Sequence, residues 1–283
     1  MLFSCKSQFV FTYRFIIVHY RMGVKYFFID VAGNCVVYLL KCFYGIYEGV
    51  FFMAFDGITI AAMVQELHRN LDGGRFNKIA QPEADELLIT GKGANGQCRL
   101  LLSASASLPL IYFTSKNKPS PMTAPNFCML LRKHIGSARI SDIRQPGLER
   151  VVEFELEHLN ELGDPCKKVL IMELMGKHSN IIFCDDKNMI LDSIKHVSSH
   201  MSSVREVLPG REYFIPQTQD KLDPLTVDEE TFIEVVCKKP CNISRAIYSS
   251  LTGISPVVAE EVCFRASVDG SDAAQALDEA AQV

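Results

Sequence analysis

From residue 56 onward the chain alternates between two hydrophobic periods. Ile60, Met63, Val64, Leu67 and Leu71 recur at helical spacing. Asp56 stands where a capping acid belongs and Gly73-Gly74 where a helix stops, so a helix is predicted between them. The period then shortens. β-Like runs follow at 75–79, 86–90, 97–102 and 110–113, then at 139–145, 150–157, 168–175, 180–184 and 189–195, bounded by Gly, Pro, Asn and Asp. Among them Asn126 is placed to cap a helix running to Ile135, after the proline-rich loop KNKPSPMTAP at 116–125.

Strands dominate residues 75–195, which predicts a two-sheet β-rich domain with helices attached, an α+β class rather than a parallel α/β one. A loop rich in Ser, Pro and Gly spans 198–224. Beyond it the helical period returns at 228–237, 242–251, 255–267 and 271–282. The expected organisation is a domain at 53–224 and the start of an all-α one at 225–283, the chain stopping inside its last helical pattern as a truncated protein would. Gly91-Lys92-Gly93-Ala94-Asn95-Gly96 matches the dinucleotide motif G-x-G-x-x-G. That motif needs a helix after it, and Gln97–Leu102 reads as a strand. Asn95-Gly96 therefore marks a hairpin turn.

Composition breaks at residue 52. Of the 27 Phe and Tyr residues, 15 lie in positions 1–52, which carry a net charge of +3 against −7 for the remainder. Arg14, Arg21, Lys25, Asp30 and Lys41 interrupt the apolar runs there. No run reaches the roughly 20 apolar residues of a spanning helix, and no secretory cleavage site follows. Glu48-Gly49-Val50 can be encoded by a purine-rich ribosome-binding sequence just upstream of Met53. Residues 1–52 are therefore expected to be an unstructured leader read as protein from a mis-assigned start. The acidic remainder excludes a globally basic nucleic-acid binder and leaves room for a local patch. Ten scattered cysteines fit reduced thiols in a cytoplasm, with no disulfide framework and no zinc spacing.

No nucleophile and base can be assembled from spacing. His196 and His200 share a helical interval, but in a loop without an accompanying acid. Glu149-Arg150 follows Pro146-Gly147 at a strand entrance, where neighbouring side chains point to opposite faces. It reads either as a solvated edge pair or as an arginine forked onto a phosphate or base with the acid positioning it. Lys177, His178 and Asn180 sit in a polar turn between apolar strands. This is either a tight reversal or a set of donors for RNA.

Several stretches together resemble one family. They are Met53-Ala54-Phe55-Asp56-Gly57, Gly73-Gly74-Arg75-Phe76-Asn77-Lys78-Ile79, Phe127 to His134, Gly147-Leu148-Glu149-Arg150, Asn160 to Asp164, Glu173 to Asn180, Asp192 to His196 and Leu208-Pro209-Gly210-x-x-Tyr213. In this order they are similar to the N-terminal domain of the NFACT family, the RqcH and NEMF group of ribosome quality-control factors, some of them labelled fibronectin-binding protein A. Leu251 to Ala266 resembles the start of the family's next domain, a helix-hairpin-helix.

The resemblance implies a cytoplasmic factor without cofactor or metal that binds large ribosomal subunits obstructed by peptidyl-tRNA. Such a factor recruits tRNA, alanyl-tRNA in bacteria, and a C-terminal alanine tail is added to the stalled chain without mRNA. The resemblance also implies a first domain related in fold to that of formamidopyrimidine-DNA glycosylases. Base excision is not expected, because Met53 is followed by Ala54-Phe55 and not by a proline nucleophile. The family's Asp-Arg pair for tRNA falls on Glu149 and Arg150, and its early aspartate on Asp56. Glu in place of Asp moves the carboxylate by about an ångström, enough to weaken a tight contact. Without the coiled coil and C-terminal RNA-binding domain of the family, this chain is expected to bind tRNA weakly and not to complete tailing. Competing readings are a surface adhesin for fibronectin, which would need export, and a DNA-repair-like binder, which would prefer lesion-containing duplex.

Overall fold

The structure, a computed structural model, describes residues 17–19, 25–27, 55–159, 162–216 and 220–277. The chain divides into two units, Met1–Met53 and Ala54–Val283. In the first, β1 (Ile17–His19) pairs antiparallel with β2 (Lys25–Phe27). The remainder of the expected leader lies outside the described residues, as do 278–283 at the other end. No described helix is long and apolar enough to cross a membrane.

The second unit opens with α1 (Gly57–Leu71), whose apolar stripe Ile60, Val64, Leu67 and Leu71 is buried. A meander comes next: β3 (Arg75–Glu83), β4 (Glu86–Gly93), β5 (Gly96–Ser103) and β6 (Leu110–Phe113). The G-x-G-x-x-G stretch is the β4–β5 hairpin, with Gly93 paired to Gly96 and Gly96 at φ 99°. After α2 (Asn126–Ile135) come β7 (Arg139–Arg144), β8 (Val151–Leu159), β9 (Pro165–Glu173), β10 (Asn180–Asp185) and β11 (Ile190–Ser193).

The expected two sheets are instead one antiparallel sheet of nine strands in the order β11-β10-β9-β8-β7-β3-β4-β5-β6. The join is narrow: Arg75 pairs with Arg139, and Ser137 N–H, at φ 71°, donates to the Phe76 carbonyl at 2.7 Å. Two meanders that look separate in sequence are thus hydrogen-bonded edge to edge. Both halves and the two helices share one core, in which Phe76 and Phe154 rings lie 6.1 Å apart. The opposite face of β8–β11 buries Val151, Ile171, Ile182 and Ile190 against Val207 and Tyr213 of the loop after β11.

The C-terminal helices are α3 (Glu229–Phe232), continued as a π-helical turn at Ile233–Cys237, then α4 (Ile243–Ser250) and α5 (Pro256–Arg265), around a core of Val236, Ile247 and Ala259. Two expectations need correction. Asn126 is the first residue of α2 and makes no cap, since Pro125 holds that position without a side-chain acceptor. The pattern at 271–282 gives, within its described part, only a 3-10 turn at Ala274–Ala276. There Ile243 N–H donates to the Asp272 carbonyl at 2.8 Å and Ala274 N–H to the Cys241 carbonyl at 3.0 Å, tying the segment back across α4.

The described cysteines are all free thiols. Burial pushes the Cys184 thiol up to about 12, with the charges of Asp185, Glu153 and Glu173 adding to the effect. Its thiolate fraction near neutral pH is roughly a thousandfold below that of an ordinary thiol. Native-state alkylation followed by peptide mass spectrometry should modify half-buried Cys166 and Cys241 long before Cys184. Labelling of Cys184 at a similar rate would show that β10 opens.

Candidate nucleic-acid interface

Three chain segments converge at the start of α1. The Asp56 carboxylate accepts from Thr59 N–H and Thr59 Oγ1, both at 2.8 Å, which caps α1. Its other oxygen accepts from Ser255 Oγ at 2.5 Å, and Ser255 in turn caps α5 through Val258 N–H. Gly57 N–H donates to the Gly253 carbonyl at 2.9 Å. Gln145 Nε2 donates to the carbonyls of Gly57 and Glu149, each at 2.9 Å. The approach is close enough to demand glycine: a Cβ on Gly57 would stand 2.1 Å from the Leu148 carbonyl oxygen and 2.7 Å from Gly253 Cα. These contacts fix the Pro146–Arg150 turn, in which Gly147 has φ 53° and Glu149 N–H donates to the Pro146 carbonyl at 3.0 Å.

The turn presents Glu149 and Arg150, both half-buried, ahead of β8. Arg150 makes no side-chain hydrogen bond or close ion pair with any described residue; it acts on Glu149 and Lys221 through space. Burial raises the Glu149 carboxyl above the ordinary range, opposed by Arg150 and Lys221. Burial also lowers the Lys221 ammonium, with Arg150 and Lys239 pushing the same way and Glu149 opposing. Lys221 is anchored on the Tyr248 carbonyl at 2.9 Å and Lys239 on Ser249 Oγ at 3.2 Å. Two cations act on one acid, with Lys239 beside Lys221, and one of them is a guanidinium with its donors unspent among the described residues, an arrangement that suits a phosphate.

The expected residues do not all belong to this surface. Asp56 is 8% exposed and its oxygens are spent on two helix caps, so it holds the junction and is not open to a ligand. Lys177 and His178 are exposed on a 3-10 turn, Gly176–His178, at the same end of the sheet as Arg150: Leu174 N–H donates to the Arg150 carbonyl at 2.9 Å. Asn180 departs from the reading as an RNA donor. It is 2% exposed, its Nδ2 donates to the Lys195 carbonyl at 2.8 Å and its Oδ1 accepts from Ile181 and Lys195 N–H. Among the described residues no cluster of three His, Cys, Asp or Glu could hold a metal ion.

Sequence reasoning missed a buried ion pair that supports this end of the sheet. Glu173, fully buried, accepts from Arg205 Nη2 at 2.5 and 2.6 Å and from the Tyr213 hydroxyl at 3.0 Å. The Arg205 guanidinium also lies 5.4 Å from the Tyr213 ring centroid and donates to the Phe214 carbonyl. Glu173 and Tyr213 both lie inside family-like motifs, but nothing in their spacing pairs Glu173 with residues 32 and 40 positions away.

Several known proteins are similar to this chain. The chain is 39% identical over 219 residues to the Rqc2 homolog RqcH of Bacillus subtilis, matching 76% of this chain and 38% of that one. It is 24% identical over 218 residues to the ribosome quality control complex subunit NEMF of mouse, covering 77% of this chain and 19% of that one. The chain thus spans well under half the length of these relatives. Among solved structures, the N-terminal part of the fibronectin/fibrinogen-binding protein from Streptococcus suis superposes with a TM-score of 0.69 at 34% identity, over 74% of this chain and 79% of that one. The family model for NFACT N-terminal and middle domains matches residues 56–282, from the aspartate that ties the junction together through the helices packed on it. The chain belongs to the NFACT family.

Proposed function

We propose that this chain is the tRNA-binding N-terminal part of a cytoplasmic ribosome quality-control factor. On this reading the whole protein binds obstructed large ribosomal subunits carrying peptidyl-tRNA. It recruits alanyl-tRNA for mRNA-independent C-terminal tailing of the stalled chain. Family membership and the quality-control name borne by the mouse relative support the general role. The observation that carries the tRNA contact is Arg150, a half-buried guanidinium held at a three-segment junction with no hydrogen-bonding partner among the described residues. Glu149 positions it, and exposed Lys177 and His178 lie at the same end of the sheet for the neighbouring phosphates. The reading needs no classical catalytic group, since recruitment is a matter of binding and placement.

The test is tRNA binding by the wild-type chain and Arg150→Ala at two salt concentrations. Losing a charge-assisted contact costs about 1.5–3 kcal/mol, so binding should weaken by about tenfold or more. The slope of log K against log salt should fall by about one. Equal binding by both proteins would remove Arg150 from the site. The relative from Streptococcus suis carries fibronectin binding in its name, and this motivates the second reading, a surface adhesin. Retention of the chain on immobilised fibronectin with no affinity for tRNA would favour it.

A further inference from the structure

A second surface lies on the outer face of β3–β5. It shares no residue with the Arg150 site and does not depend on tRNA binding there. Strand register sets two parallel rows across this face. One is Lys78, Thr90 and Arg99, each paired with the next. The other is Ala80, Leu88, Leu101 and Tyr112, likewise paired in turn. Ala80, Leu88 and Leu101 form a buried apolar cluster separate from the main core, and of this row Ala80 and Leu88 border a groove. Residues two apart on a strand are about 6.6 Å apart, so a cationic row runs beside an apolar one at roughly the spacing of a phosphate and its base.

The proline-rich loop at 116–125 roofs these rows and leaves a groove of two lobes, about 470 and 250 Å3, that share Lys78, Ala80 and Ser120. Four cations line the groove, Lys78, Arg99, Lys118 and Arg132, and no described acid does. Within a chain of net charge −4 that is a local reversal of sign. Lys118 is matched by Glu86 at 2.5 Å, whereas Lys78 has no counter-ion among the described residues. The two arginines are braced by backbone: Arg132 Nε donates to the Ile79 carbonyl at 2.7 Å and Arg99 Nη1 to the Ser115 carbonyl at 3.1 Å. Both keep further donors for an anion.

Gln81 lines the smaller lobe beside Arg132. It is 5% exposed, its Nε2 donates to the Ala84 carbonyl at 3.1 Å, and its Oε1 is buried without a partner among the described residues. A buried amide oxygen left unpaired is costly, and its terminal torsion is soft enough to turn toward a ligand. Cations for a phosphate, apolar edges of Ala80 and Leu88 for a flat ring and an amide for a base edge are what a nucleotide needs. We infer that this groove binds a nucleotide, free or as one unit of a single-stranded RNA, with its phosphate on Lys78 and Arg99 and its base in the groove against Ala80 and Leu88, beside Gln81.

The probes are AMP and a short single-stranded oligoadenylate, titrated by calorimetry and fluorescence anisotropy into the full chain. Saturable AMP binding is expected, weakened roughly tenfold or more in Lys78→Glu/Arg99→Glu. Gln81→Met should weaken AMP binding with little change in Tm, since removing the unpaired oxygen offsets the lost bond to the Ala84 carbonyl; a role confined to folding would lower Tm instead. Tighter binding of the oligoadenylate would identify a strand as the occupant, and equal or weaker binding a free nucleotide. Arg150→Ala should leave AMP binding unchanged, so this site and the tRNA reading fail separately. The inference is overturned if AMP does not saturate, if both groove variants bind it as the wild type does, or if inorganic phosphate binds as tightly as AMP.

Discussion

Glu173→Gln should be among the most destabilising single substitutions in the chain. The carboxylate is fully buried and takes both short bonds from an Arg205 side chain only 11% exposed. Removing one partner of a buried ion pair leaves an uncompensated charge and costs about 3–5 kcal/mol. For a domain of this size that lowers Tm by on the order of 10 °C, as a thermal melt would read. The neighbours point the same way: burial and the Glu173 charge raise the Tyr213 hydroxyl far above its ordinary range, so it remains a neutral donor to that carboxylate. The cost comes from stranding a charge, so Glu173→Gln/Arg205→Met should recover a large part of the loss despite removing both partners. A double variant as unstable as the single one would mean the pair acts through specific geometry instead. Because Leu174, next in sequence, bonds the Arg150 carbonyl, the single substitution should also loosen the Arg150 end of the sheet.

That ion pair marks where the sequence stopped being legible. Local periodicity placed α1, the β4–β5 hairpin and α4, because each is decided by residues within a few positions of one another and by cap or turn chemistry such as Asn242 and Asn95-Gly96. What depends on remote partners was not readable. The β3–β7 join has a single register pair, Arg75 with Arg139, and a few backbone bonds between segments more than 60 residues apart, which no local pattern announces, so two sheets are expected from sequence where there is one. The candidate site shows the same division. Arg150 and Glu149 stood out by motif and do share a surface with Lys221, a cation no motif indicated because it approaches from the loop before the C-terminal helices. Asp56 stood out by motif, and its hydrogen bonds could not be read there. The family motif marks it as constrained, and the constraint turns out to be two helix caps separated by 199 positions.

Gly57→Ala tests whether that junction sets the geometry of the Arg150 turn. In an isolated helix the change would help, since alanine is the better helix former by about 1 kcal/mol. Here the added methyl would lie 2.1 Å from the Leu148 carbonyl oxygen and 2.7 Å from Gly253 Cα, and both obstacles are backbone. Neither can rotate away, so the Pro146–Arg150 turn or the loop before α5 must move. Overpacking of this kind costs about 1–3 kcal/mol and more where backbone is displaced. The expected result is a loss of about 3 kcal/mol in denaturant unfolding, together with weakened tRNA binding, because Leu148 adjoins Glu149 and Arg150. Gly73→Ala supplies the contrast. Gly73 has φ 64° with nothing within 4 Å of its missing Cβ, so alanine there meets only backbone strain of about 1–2 kcal/mol and should leave tRNA affinity unchanged. If Gly57→Ala lost stability but bound tRNA as the wild type does, Arg150 would keep its place without the junction. Loss of both would make the contact of Gly57, Leu148 and Gly253 the element that aims the arginine.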